Sequence, residues 1–277
     1  SLPSQVRWGT RPHIRRLFEA HDEYERYGVV VTNRSQAHVF KIFLNQIEDS
    51  QVLNATDEVK RFSSPAKDML WSQSNLQRSA EANAKRHLKT VAELMDQFVD
   101  EDRIERLIIG GTTEAVSELE RLLSERVQQR IIGSLSVAVG AAPKEVLAAT
   151  MRVGAEFERE QESQLVERLL TASGKGQQAV TGVEDTTTAT NEGRVMTLVY
   201  ADGDELRGSE CTRCGSILGK VADSCPFCGV QTFEVVDFLE VLVGRAVENG
   251  GRLECVGGEA ADRLLAEAGG IGAFLRF

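Results

Sequence analysis

The amino-acid sequence predicts an α/β protein of two domains: a mixed-sheet domain over residues 1–142 and an α/β/α sandwich over residues 143–277, the second interrupted by a cysteine-bearing insert at 209–231. Three observations predict it. The chain has 277 residues, which at roughly 100 to 200 residues per domain makes two folding units, each able to bury its own core. Short runs of Val, Ile and Leu alternate with stretches whose apolar residues recur every three or four positions, and that alternation belongs to α/β architecture. Composition is ordinary, 42% hydrophobic and 27% charged with 5 Pro, which excludes collagen-like, low-complexity and largely disordered chains.

Arg11-Pro12-His13-Ile14 opens a helix with Pro near its first turn and Ile14, Leu17 and Phe18 on one face, ended by Gly28. Val29–Thr32 and Ala37–Phe43 then read as strands around the polar turn Asn33-Arg34-Ser35-Gln36, with a further hairpin through Leu44-Asn45-Gln46 into Ile47. From Leu76 the apolar positions Leu76, Ala80, Ala84, Leu88, Val91, Met95 and Phe98 mark an amphipathic helix, with Arg78, Lys85, Arg86 and Lys89 free to face away from the core. Leu107-Ile108-Ile109 is a buried strand, and Gly110-Gly111-Thr112-Thr113 turns it into a helix through Leu123, capped by Thr112 or Thr113. Without G-x-G-x-x-G or a Walker sequence, that turn reads as packing geometry rather than a phosphate cradle. Ile131–Val137 is another strand.

Pro143 starts a long helix through Leu170, followed by the Gly-rich loop 171–176. A short helix at Glu184–Glu192, strand Val195–Tyr200, the insert, helix Val235–Glu248 stopped by Gly250-Gly251, strand Leu253–Val256, helix Glu259–Ala268 and strand Ala273–Phe277 complete the second domain.

Net charge is −10, but it is divided unevenly. Residues 1–145 hold 20 bases against 21 acids and residues 146–277 hold 12 against 21, so the acidity belongs to the second half. Within the neutral half, residues 60–90 hold seven bases (Lys60, Arg61, Lys67, Arg78, Lys85, Arg86, Lys89) and two acids (Asp68, Glu81). Such a run is either a solvated helix face or a tip that contacts phosphates. No run approaches the 18 or so apolar residues of a membrane span, so no membrane partner is expected. The start lacks both the pattern of a signal peptide and an initiator Met, which leads us to expect a cytoplasmic chain that is a fragment or a processed product.

Cys211-Thr212-Arg213-Cys214-Gly215 and Cys225-Pro226-Phe227-Cys228-Gly229 are two C-x-x-C-G knuckles separated by ten residues. Two sulfurs three residues apart in a Gly-assisted turn can grip one tetrahedral ion, and two knuckles complete four ligands, the pattern of structural zinc. Iron or a pair of disulfides would use the same residues. Four thiolates leave no open coordination position, so such an ion staples a loop and performs no catalysis. Cys255, flanked by Leu253 and Val256, reads as a core residue.

Signs of catalysis are few. His13, His21, His38 and His87 form no H-x-x-x-H or H-E-x-x-H pattern, and no G-x-S-x-G elbow exists. Glu156, Glu158, Glu160 and Glu162 lie on the long helix, where acids are solvated or complement a helix N-terminus.

Gly182-Val183-Glu184-Asp185-Thr186, then Asn191-Glu192-Gly193-Arg194-Val195 and Thr197-Leu198-Val199-Tyr200, resemble the start of the C-terminal domain of archaeal and eukaryotic peptide-chain release factor subunit 1 and its relative Pelota. The knuckles follow where archaeal members carry theirs. The ending, Val247-Glu248-Asn249-Gly250-Gly251-Arg252-Leu253-Glu254 through Gly269-Gly270-Ile271-Gly272-Ala273-Phe274-Leu275-Arg276-Phe277, is similar to the family's last strand and its Gly-Gly-Ile turn. Tyr27–Val31 with Ala37–Phe40, and Ile108-Ile109-Gly110-Gly111, resemble strands of the family's middle domain. The chain is thus similar to a bacterial or archaeal relative consisting of middle and C-terminal domains, without the codon-reading N-terminal domain.

In the family the middle domain presents a Gly-Gly-Gln-Ser loop followed by a basic helix. The matching stretch here is Trp71-Ser72-Gln73-Ser74, followed by Asn75-Leu76-Gln77-Arg78. Two glycines permit torsions that side chains forbid and let the glutamine approach the peptidyl ester; Trp71 and Ser72 remove that freedom. Gly174-Lys175-Gly176-Gln177 is no substitute, since it falls in the second domain. The resemblance implies a ribosome-binding translation factor, of rescue or hibernation type, whose Trp71, Ser72, Gln73, Arg78, Lys85, Arg86 and Lys89 meet rRNA near the peptidyl-transferase centre. Ordinary packing is the other reading of Trp71. The acidic C-terminal domain, held by Zn2+ on Cys211, Cys214, Cys225 and Cys228, would dock a translational GTPase. A release factor that still hydrolyses peptidyl-tRNA through Gln73 and a protein-interaction adaptor are the alternatives, with the lost glycines favouring a non-enzymatic role.

Overall fold

A computed structural model describes residue 15 and residues 26–55, 73–203 and 205–277, with the side chains of 73–77 and 79 outside the description. The helix expected from Arg11 onward, apart from Arg15, falls outside it, as do Lys60, Arg61, Lys67, Trp71 and Ser72. The chain divides into two compact units, one of Glu23–Phe157 and one that includes Glu158–Phe277. The division falls within the long helix whose start, at 142/143, the sequence reading takes as the boundary.

In the unit of Glu23–Phe157, strands β1 (Tyr27–Thr32), β2 (Gln36–Phe43) and β3 (Gln46–Asn54) form an antiparallel meander, and β4 (Arg106–Gly111) and β5 (Ile131–Leu135) add in parallel, giving the order β3-β2-β1-β4-β5. This is the mixed sheet that the sequence predicts. The β2–β3 hairpin turns on Leu44 and Asn45, both at positive φ (53° and 59°), as a two-residue turn matched to strand twist requires. Side chains alternate across β1. Val30 packs with Leu88, Val91 and Met95 of helix α1 (Gln73–Glu101) and with Leu119 of α2 (Thr113–Leu122). Val29 and Val31 face Phe40, Ile42, Leu135 and Val146, the last on α4 (Pro143–Gly174). A short helix α3 (Glu125–Gln128) was not foreseen; the Ser124 side chain caps it by accepting from the Val127 N–H at 3.4 Å.

Two glycines here serve close approach. Gly28 is no helix stop: it lies inside β1, and a Cβ there would stand 2.8 Å from Phe98 and 2.9 Å from Ile104. Gly111 has φ 126°, and its Cβ would meet the Thr32 carbonyl oxygen at 1.8 Å, which is the packing reason for the glycine pair after β4. Thr112 does occupy the N-cap of α2 but makes no side-chain cap bond.

In the second unit a four-stranded mixed sheet runs β11-β7-β12-β6, formed by β6 (Ala179–Thr181), β7 (Val195–Ala201), β11 (Arg252–Val256) and β12 (Ile271–Leu275). One face packs Leu198 and Tyr200 against Ala189 of α5 (Val183–Asn191) and Phe238, Leu242 and Val243 of α6 (Phe238–Glu248). The other packs Val199, Ala201 and Val256 against Val166 and Leu169 of α4 and Leu264 of α7 (Gly258–Ala268). The result is an α/β/α sandwich. Helix α4 runs through Gly174, absorbing the first part of the expected loop. Val235 ends a strand rather than starting α6, which begins at Phe238 behind Asp237, whose Oδ1 accepts the Glu240 N–H at 3.3 Å. Of the four acids on α4, Glu162 complements a helix N-terminus: its Oε2 accepts the Gly257 N–H, at the cap of α7, at 3.0 Å. No described helix is long and apolar enough to cross a membrane.

Candidate metal centre and candidate nucleic-acid face

The insert is a three-stranded sheet ordered β10-β8-β9, with β8 (Gly208–Cys211), β9 (Ile217–Leu218) and β10 (Thr232–Val235). Cys211 closes β8, and Cys214 follows on a turn in which the Gly215 N–H donates to the Cys211 carbonyl at 3.2 Å. In the second knuckle the Gly229 N–H donates to the Cys225 carbonyl at 2.9 Å. Gly215 and Gly229 hold φ of 68° and 71°, the left-handed region that lets each knuckle fold its two sulfurs onto one point. The two turns thus share one local geometry.

All four sulfurs lie within 4.8 Å of one another, with contacts across the knuckles from Cys211 to Cys228 at 3.4 Å and from Cys214 to Cys225 at 3.6 Å. A tetrahedron of sulfurs each about 2.3 Å from a central ion has edges of about 3.8 Å. The donor set therefore fits a thiophilic ion, held by Cys211, Cys214, Cys225 and Cys228. Electrostatics point the same way. The Cys214 thiol is lowered to about 6, first by the Ser216 hydroxyl 3.3 Å away and then by the Ser216 N–H. Hydrogen bonds from the backbone of Cys214 and Arg213 lower Cys211. At Cys228 the Val230 N–H also lowers the thiol, but the neighbouring Cys211 sulfur, desolvation and the sulfurs of Cys214 and Cys225 outweigh it and push it up to about 12. Four sulfurs this close cannot all ionise without a cation among them.

Sequence spacing locates these four residues and misses what ties them to the domain. The Asn191 side chain at the end of α5 grips β9, donating to the Ile217 carbonyl at 2.6 Å and accepting the Ile217 N–H at 3.1 Å. Arg245 on α6 donates to the Gly215 carbonyl at 3.1 Å. Their partners are 26 and 30 residues away, so no local pattern announces them. Cys255 stands apart, half-buried in β11 and packed against the sandwich core.

The second candidate site is the outer face of α1. Ala84, Leu88, Val91, Ala92, Met95 and Val99 are buried, while Arg78, Lys85, Arg86 and Lys89 are exposed. At about 100° per residue, Arg78, Lys85 and Lys89 share one stripe about 40° wide, with Arg86 beside it. Lys89 lies 3.8 Å from Glu93, and Arg86 donates to Asn83 at 3.4 Å. Among the described residues, Arg78, Lys85 and Arg86 form no ion pair. Acids collect instead in the C-terminal half of the helix, where Arg126 bridges Asp96 and Asp100. The first turn of α1 holds no acid and the last turn no base, the reverse of what the helix dipole favours. Arg78 is the base nearest to Gln73, the first described residue of the helix. Trp71 and Ser72, immediately before it, lie outside the described residues.

Of the histidines, His87 is buried on α1 and His38 stacks on Phe40 with ring centroids 3.9 Å apart, burial lowering its pKa; His13 and His21 lie outside the description.

A family model described as bacterial archaeo-eukaryotic release factor family 10 matches residues 12–155. No curated protein matches the chain. Among solved structures, the archaeal Pelota in a model of ribosome-bound archaeal Pelota and ABCE1 is similar over 98% of this chain and 67% of that one, at 18% identity and a TM-score of 0.54. Dom34 of S. cerevisiae, a translation termination-like factor involved in RNA quality control pathways and interacting with Hbs1, is similar over 94% and 64%, at 12% identity and a TM-score of 0.53. Pelota of Archaeoglobus fulgidus matches over 95% and 68% at 16% identity, with a TM-score of 0.46. The chain spans about two thirds of the length of these proteins. At these identities the likeness is one of fold.

Proposed function

The chain belongs to family 10 of the bacterial archaeo-eukaryotic release factors, and from that membership we propose that it is a cytoplasmic translation factor that binds the ribosome through the N-terminal end of α1. The observation that carries the reading is the stripe of Arg78, Lys85 and Lys89, exposed along one face of the N-terminal and middle turns of α1. Phosphate-rich RNA is the partner such a field attracts, and the stretch Trp71-Ser72-Gln73, which precedes the stripe in sequence, would enter the rRNA cavity near the peptidyl-transferase centre. The role is rescue of stalled ribosomes or occupation of idle ones, without hydrolysis, since Trp71 and Ser72 stand where close approach needs glycines.

In this reading residues 1–142 form the RNA-facing domain and residues 143–277, nine charges more negative than neutral, a domain for a protein partner, a translational GTPase. Zn2+ occupies the four-cysteine site. The test is co-sedimentation with ribosomes: binding at low salt, loss at moderate salt, and weakening by Lys85→Glu/Arg86→Glu are expected. Binding that ignores both salt and substitution refutes the RNA reading and leaves an adaptor. A release assay on loaded ribosomes with Gln73→Ala as control separates the non-enzymatic role from hydrolysis. About one zinc per chain is expected by elemental analysis.

A further inference from the structure

We propose that the four-cysteine cluster is also a peroxide-sensitive modification site, in which Cys214 is oxidised first and is trapped by Cys225, releasing the bound ion. The proposal rests on the metal reading of these residues and is independent of ribosome binding. Three observations carry it. Exposure is uneven: Cys214 is exposed, Cys228 half-buried, and Cys211 and Cys225 are buried. Sulfur contacts across the knuckles pair the exposed thiol with a buried one, Cys214 with Cys225 at 3.6 Å, and Cys211 with Cys228 at 3.4 Å as a second pair. The two knuckles are also anchored differently: Asn191 and Arg245 clamp residues 215–217 beside the first knuckle to the core, whereas among the described residues the backbone hydrogen bonds of the second knuckle stay within the insert, from the Cys225 N–H to the Val230 carbonyl at 2.8 Å and from the Gly229 N–H to the Cys225 carbonyl at 2.9 Å.

The chemistry closes with a hydroperoxide as the oxidant. The Cys214 thiolate attacks one peroxide oxygen; the O–O bond breaks, an S–O bond forms, hydroxide leaves, and the sulfur loses two electrons to become a sulfenic acid. The Cys225 thiolate then attacks that sulfur, the S–O bond breaks, a second hydroxide leaves, and an S–S bond joins the knuckles. The ion has lost two of four ligands and dissociates. A second peroxide takes Cys211 and Cys228 through the same sequence, so two peroxides accept four electrons from four thiolates and leave as four hydroxides, which take four protons from the buffer. Because the first knuckle stays clamped, the sandwich should survive and only the insert change.

The experiment treats the zinc-loaded chain with increasing hydrogen peroxide, follows released zinc with a chelating dye, blocks residual thiols and maps cross-linked peptides by mass spectrometry. One equivalent should release most of the zinc with Cys214–Cys225 as the main cross-link, and a second should add Cys211–Cys228. In a short alkylation pulse on the untreated holo-chain, Cys214 should react at least about tenfold faster than Cys211 or Cys225, an order set by thiolate access. Cys255→Ser should change neither stoichiometry nor order. Cross-links within knuckles, Cys211–Cys214 or Cys225–Cys228, or cross-links to Cys255, overturn the proposal, as does zinc retained after two equivalents. A chain that binds no zinc refutes the metal reading instead, and the cross-link map of the metal-free thiols still decides the pairing.

Discussion

Replacing Arg78 and Lys85 together by glutamine removes two exposed cations from α1 that no described acid neutralises, and leaves the buried stripe of Leu88, Val91 and Met95 untouched. Substitutions at such surface positions change stability by roughly 0.5 kcal/mol or less, so the folded state is preserved and binding alone responds. Each phosphate contact contributes about 0.7 to 0.9 to the slope of log affinity against log salt. Losing two should therefore flatten that slope by about 1.4 to 1.8. Across a rise from about 50 to 200 mM salt, the unmodified chain should lose about tenfold more affinity than the double variant. The measurement is co-sedimentation with ribosomes over a potassium chloride series, reported as the slope. Lys89 supplies an internal control: it already shares its charge with Glu93 at 3.8 Å, so Lys89→Gln should flatten the slope less than either single change, and Glu93→Gln should steepen it. Equal slopes for the double variant and the unmodified chain, with binding intact, would refute the assignment of this face to RNA.

Leu88→Ala removes a fully buried side chain from the contact of α1 with the sheet and should cost about 2 to 5 kcal/mol in denaturant unfolding. Asn191→Ala breaks both bonds to Ile217 and should destabilise the insert by about 1 to 3 kcal/mol, read as faster zinc loss to a chelator than in the unmodified chain. Gly219→Ala places a Cβ 2.7 Å from the Val183 carbonyl oxygen, and should lower the thermal midpoint and weaken zinc retention together. For His38, burial lowers the folded pKa below 6.5, so the unfolded chain protonates first. Its contribution to stability is whole above pH 6.5 and declines as the pH falls toward the folded value, and His38→Gln should flatten the stability profile in that range. Exhaustive chelation should abolish order in the insert while circular dichroism retains the signal of the two main sheets and their helices.

The fold was legible wherever local pattern and tertiary environment demand the same thing. Val29–Thr32 and Leu107–Ile109 are apolar on both faces because their sheet is covered on both sides, and the three- and four-residue steps from Ala84 to Met95 mark the face that meets it. Where one letter serves two purposes, reading failed. Gly28 looks like a stop, yet it is a strand residue kept bare for Phe98 and Ile104. Thr112, by contrast, takes the N-cap position read for it, although its side chain makes no cap bond. Strands of two to four residues, such as β6, β8 and β9, are too short to show a period and exist because neighbours pair with them. The cysteine site was readable because each knuckle is local. Its clamps were not, because Asn191 and Arg245 reach their carbonyls only after the domain has folded.

The insert also explains why an ion held by its four cysteines would belong to the fold rather than to a reaction. Ile217 and Leu218 are the large apolar side chains that the insert buries, Ile217 in the sandwich core, while its Val221 and Phe227 are exposed. A segment with so little buried apolar area cannot offset the entropy of ordering its own backbone. The knuckles supply what the core does not, since four thiolates converge on one point only when both turns are formed, and ion binding is then folding free energy. A closed four-sulfur shell leaves no position for a substrate. The charged face of α1 and the ion site lie in separate compact units with separate cores. Loss of the ion should therefore leave the salt slope set by Arg78 and Lys85 unchanged, whereas any contact made by the C-terminal unit's insert should disappear with the metal.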